Sequence, residues 1–129
     1  EGSINADKNL TFNSRNQKIL VYGNVKIIIK EKGDIKAQSI FIDTDETGNI
    51  INIKALKEVE IFLKELQQKV IADEAKFDIQ NSKVNFLGNV VLHQGESFLK
   101  GDKAFVDLKN GVSRISSNEK NTVSGFFKK

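Results

Sequence analysis

The chain has 129 residues, 39% hydrophobic and 29% charged, and its twenty basic residues are interspersed with seventeen acidic ones to leave a net charge of +3 and a pI near 9.1. Those values describe one soluble globular domain, 1–129, and they exclude a nucleic-acid-binding stripe. Cysteine is absent, which excludes thiol catalysis and Cys-based metal sites, and apolar runs such as Ile27-Ile28-Ile29 are far too short for a membrane-spanning helix.

Short apolar patterns separated by turn-forming residues run through the whole chain, as expected of strands. Ile4, Ala6, Leu10 and Phe12 precede the turn Asn13-Ser14-Arg15-Asn16, and Ile19-Leu20-Val21-Tyr22 then leads to Gly23-Asn24. The odd positions Ile19, Val21, Val25, Ile27 and Ile29 are all apolar, so they share one inward sheet face. Lys32-Gly33-Asp34 turns the chain, Ile35 to Asp43 returns it, and Asp45 to Asn49 turns it again before Ile50 to Ile53.

From Leu56 to Lys69 two readings compete. Leu56, Val59, Leu63 and Leu66 suit a short amphipathic helix, whereas Val59, Ile61 and Leu63 alternate as a strand. Next come Val70 to Ile79, the turn Gln80-Asn81-Ser82 and a strand through Val84 and Phe86. Gly88 to Leu108 reads as strand, turn at Gln94 to Ser97, strand, corner at Gly101-Asp102, and strand. Asn110-Gly111 precede Val112 to Ile115, a polar loop spans Ser116 to Asn121, and the last strand is Val123 to Phe127.

A repeat organises these elements. Gly23-Asn24-Val25 maps onto Gly88-Asn89-Val90 at an offset of 65, and Ala6-Asp7 maps onto Ala72-Asp73 at 66. Halfway between, Ile35-Lys36-Ala37-Gln38 and Leu99-Lys100-Gly101-Asp102 repeat the pattern of an apolar residue followed by a small and a polar one. Each such site reads as a bend where a strand changes sheet, and the repeat favours strand over helix in the ambiguous middle, where Lys57-Glu58-Val59 replaces Gly-Asn-Val. About eight residues per strand and turn gives some 14–16 short strands. A flat sheet that wide exposes long edges, so the expected architecture is an all-β, rolled antiparallel jelly roll.

No catalytic constellation emerges. His93 is the lone histidine and falls on the face opposite Val90 and Leu92, Asp43-Thr44-Asp45-Glu46 lacks the ligand spacing of a calcium loop, and no serine sits in a nucleophile elbow. The expectation is a non-enzyme without metal or cofactor, whose site is its apolar interior. Alternation places Ile4, Val21, Val25, Ile27, Ile40, Ile42, Val84, Phe86, Val90, Leu92, Ala104, Val106 and Leu108 on that face. By alternation alone the favoured reading is that they fill a dry sandwich core.

Ile4-Asn5-Ala6-Asp7, the twin Gly-Asn-Val phrases, Gln94-Gly95, Leu99-Lys100-Gly101-Asp102-Lys103, the Asp107 to Gly111 turn and Asn121-Thr122-Val123 resemble the OstA-like family over nearly the whole chain. The resemblance implies a twisted, incompletely closed β jelly roll, or taco. Its groove would carry the acyl chains of lipopolysaccharide across the periplasm, between inner-membrane and outer-membrane partners with related folds. It further implies a leader removed on export, and a sheet left open in this way leaves a first strand near Ser3 to Asp7 and a last strand near Thr122 to Phe127 with unpaired edges for head-to-tail self-association. Lys100 and Lys103, beside the last corner, would then meet lipid phosphates at the groove mouth, or else remain ordinary solvated lysines. Two rival readings are a lipid-free adaptor that binds proteins through its sheet edges, and the soluble domain of the related inner-membrane component.

Overall fold

The computed structural model describes residues 18–117 in full and, as backbone, three outlying strands. The strands are β1 (Gly2–Asn5), β2 (Leu10–Asn13), β3 (Lys18–Ile29), β4 (Gly33–Thr44), β5 (Ile50–Leu63), β6 (Gln68–Asp78), β7 (Lys83–Gln94), β8 (Ser97–Asp107), β9 (Val112–Ser116) and β10 (Ser124–Phe126). All pair antiparallel in one sheet of order β1-β3-β4-β5-β6-β7-β8-β10, with β2 also on β3 and β9 also on β8. The expected bend at Ala6-Asp7, most of the turn at 13–16, the loop at 118–121, and Val123 and Phe127 lie outside the described residues.

Among the described residues, ten continuous strands stand where 14–16 short ones were expected. The difference is physical. Each of β3 to β8 runs through its corner, with one register shift near its middle: Tyr22/Val25, Lys36/Ser39, Leu56/Val59, Ile71/Glu74 and Leu87/Val90. Ten strands, six of them bent once, give sixteen straight segments, which is the count that the sequence spacing reflects.

The bends fold the sheet on itself. A straight strand of twelve residues would be about 40 Å long, yet Lys32, in the turn at one end of the strands, donates from Nζ to Ser82 Oγ in a turn at the other end at 3.0 Å. Two leaves therefore face each other. The first consists of β2, residues 18–22, 39–44, 50–56, 74–78, 83–87 and 103–107, and β9; the second consists of β1, residues 25–29, 33–37, 59–63, 68–72, 90–94 and 97–101, and β10.

Strands cross the fold line in two ways. Those running from the first leaf to the second do so on two successive left-handed residues: Gly23 and Asn24 (φ 88° and 48°), Lys57 and Glu58 (67° and 53°), and Gly88 and Asn89 (84° and 47°). The middle crossing keeps this geometry without its glycine, at a backbone cost of about 1–2 kcal/mol at Lys57. Strands running back slip the inward face by one residue, at Ala37-Gln38, Ala72-Asp73 and Gly101-Asp102, so that Ala37 is followed inside by Ile40 and Ala72 by Ala75. Polar side chains lace the outside of the crease. Gln38 Nε2 donates to Asn24 Oδ1 at 2.9 Å and Glu58 Oε2 at 3.0 Å, and Asn89 Nδ2 donates to Asp73 Oδ2 at 2.8 Å. This explains why each bend pairs a small residue with a polar one.

Residues 64–67 form the turn between β5 and β6, so the competing helix is replaced by strand, turn and strand. Val59, Ile61 and Leu63 point inward with at most 1% exposure, because burying that row against the opposite leaf outweighs the helix-friendly composition of 64–69.

Candidate functional site

The space between the leaves is a continuous apolar interior. All twelve predicted lining residues within the fully described region are buried: Val21, Val25, Ile27, Ile40, Ile42, Val84, Phe86, Val90, Leu92, Ala104, Val106 and Leu108, none more than 7% exposed. The thirteenth, Ile4, pairs with Ile27 in β1, and its side chain lies outside the described residues. The same cluster takes in Ile53, Val59, Ile61, Leu63, Val70 and Phe77 from β5 and β6, which the sequence reading left out. Their alternation was as legible as that of the residues named.

Opposite the fold line, the two rows of turns meet along a seam. Ser113 Oγ in β9 donates to Gln68 Oε1 in β6 at 3.0 Å, bridging first leaf to second, and Gln68 is only 6% exposed. Lys32 Nζ to Ser82 Oγ makes a further polar bridge. Gln94 Nε2 donates to the Leu66 carbonyl at 3.3 Å and steadies the second-leaf lip. A gap of about 130 Å³ remains beside the Lys32–Ser82 bridge, bounded by Glu65, Leu108 and Lys109. Nothing local in the sequence marks these four partners, since the pairs are 50 and 45 residues apart.

Lys100 and Lys103 lie elsewhere. Both are exposed on the outward face beside the crease, Lys100 with its ammonium 5.7 Å from the centre of the Phe98 ring. The fold thus brings neither to the seam. His93 also faces outward, half-buried against Phe98 with ring centres 6.1 Å apart. The first leaf's outer surface carries two adjoining shallow grooves of about 770 and 750 Å³ that share Lys76 and Asn85.

The first-leaf lip of the seam is built from three carboxylate-held turns. Asp45 accepts from Thr47 Oγ1 at 2.7 Å and from the Thr47 and Asn49 amides, Asp78 from the Asn81 side chain and amide, and Asp107 from the Asn110 side chain and amide. The side-chain donors, Thr47, Asn81 and Asn110 respectively, are the main reason that all three carboxyls sit below the ordinary 3.8. The acidic stretch around Asp45 is accordingly committed to holding a turn.

Residues 69–127, a little under half of the chain, match a family model described as LptA/(LptD N-terminal domain) LPS transport protein. None of the curated proteins matches the chain. Among solved structures, the fold is similar to the crystal structure of LptH from Pseudomonas aeruginosa, described as the LptA-homologous periplasmic component of the conserved lipopolysaccharide transport device. The TM-score is 0.86 over 100% of this chain and 96% of that one, at 9% identity. At such low identity the likeness is one of fold. The family-model match over residues 69–127 and the fold likeness over the whole chain point the same way.

Proposed function

We propose that the chain is a periplasmic lipopolysaccharide carrier that shields acyl chains between its two leaves during transport from the inner to the outer membrane, without catalysis or cofactor. The observation that carries this reading is the unbroken apolar interior, which extends from β3 to β8. A buried methylene is worth about 0.8 kcal/mol, so an acyl chain of about ten methylenes costs roughly 8 kcal/mol to leave in water, enough to require a shielded route. The match to a lipopolysaccharide transport family over residues 69–127 and the likeness to a periplasmic component of that machinery favour this cargo over others.

A bridge also needs ends that join. Among the described residues, β1 and β10 are the opposite edges of the second leaf, each laddered on one side. Pairing β10 of one copy with β1 of another, or with the edge of a related jelly-roll domain, would be a heterologous contact that propagates and aligns the interiors. A fluorescently labelled lipopolysaccharide tests the cargo: saturable binding is expected, and its absence would favour the lipid-free adaptor. Light scattering tests the ends. Concentration-dependent oligomers should disappear on deletion of residues 122–129 while β content stays largely intact.

A further inference from the structure

We propose that the seam between the two rows of turns is the gate through which an acyl chain enters the interior sideways, held shut by the Lys32–Ser82 and Gln68–Ser113 hydrogen bonds. The proposal rests on the carrier reading above. Residues lining the interior are at most 9% exposed, so a chain can enter only if the leaves part or if it threads in from the open ends of the sheet. The fold line cannot part, because six strands cross it as continuous backbone.

The seam is different in kind. Among the described residues no ladder spans it and the Cα atoms of strands that are not ladder neighbours stay more than 8 Å apart, so side chains join leaf to leaf there. Two side-chain hydrogen bonds bridge it among the described residues, Lys32–Ser82 and Gln68–Ser113, the first beside a gap of about 130 Å³. Water replaces such hydrogen bonds at small net cost once the lips separate, whereas each ladder within a leaf survives the movement intact. The half-buried lysine and the buried glutamine of the second-leaf lip thus act as latches, and the left-handed crossings on the far side act as the hinge.

The absence of cysteine makes the gate testable. In the Lys32→Cys/Ser82→Cys variant, a short bifunctional methanethiosulfonate would tie the lips together and reductant would release them. Fluorescently labelled lipopolysaccharide should bind the reduced variant as it binds wild type, bind the bridged form about tenfold more weakly, and recover after reduction. A Lys69→Cys/His93→Cys bridge, between laddered outward neighbours of the second leaf, should change nothing. If the bridged seam binds as well as the reduced one, entry is through the ends and the gate is wrong. If neither state binds while wild type also fails, the carrier reading itself falls. Should the double variant not fold, Ser82→Ala serves instead: it removes one latch and is expected to speed association about threefold, and an unchanged association rate would overturn the gate.

Discussion

Along its fold line the sheet is continuous backbone, bent by paired left-handed residues and laced outside by Gln38, Asn24, Glu58, Asp73 and Asn89, whereas along the seam the leaves are bridged by side-chain hydrogen bonds, Lys32 to Ser82 and Ser113 to Gln68. One side is fixed by conformation and the other by contact. The contrast teaches where specificity is written. Bends are local and leave short motifs in the sequence, while a seam assembled from residues tens of positions apart leaves none.

The largest expected effect lies between the two sides. Val106→Asp places a carboxylate where Val106 is 0% exposed, and the unfolding free energy should fall by about 3 kcal/mol. A melt within error of wild type would mean that the leaves already stand apart and the site is wet. At the crease, Gly88→Val and Gly101→Val should each cost about 2 kcal/mol. A Cβ at Gly88 would stand 2.6 Å from Asp73 Oδ2 with φ at 84°, and one at Gly101 would stand 2.7 Å from the Ser116 carbonyl oxygen. Gly48→Val shares the positive φ but meets nothing within 4 Å, so its smaller loss in melting temperature isolates crowding from strain.

The crease also contains a position that can be improved. Lys57→Gly restores the glycine that the other two forward crossings carry, and should raise stability by about 1 kcal/mol, seen as a higher melting temperature. No gain would imply that Lys57 is not held left-handed. On the seam side, acid should act on the first-leaf lip. Asp45, Asp78 and Asp107 titrate below 3.8 when folded, so each adds stability above that value which is lost as pH falls through its folded value. Thermal melts between pH 5 and 2 should show an acid decline that shrinks in the Asp78→Asn/Asp107→Asn variant.

Much of the crease was legible beforehand. Gly-Asn-Val and the small-polar pairs at Ala37, Ala72 and Gly101 announced its position, because left-handed backbone and close approach select those residue types locally. Period-two alternation gave the interior face from Val21 to Val106. The middle was harder, since Lys57-Glu58 adopts the bend without its usual glycine and 64–69 favours helix by composition. Gln68 and Ser113 were invisible, as their pairing depends on the leaves having already closed. Lys100 and Lys103 were correctly read as lying beside the last corner, and the folded sheet places both on the outward face there, away from the seam.

The central claim is that lipid travels between the leaves and not along their outer faces. A photo-reactive amino acid at Val106, inside, and at Lys54, on the outer wall of the first-leaf groove, tests it most directly when each variant is irradiated with lipopolysaccharide. Strong adduct at Val106 with little at Lys54 is the predicted result; equal or stronger adduct at Lys54, from a folded protein, would contradict it.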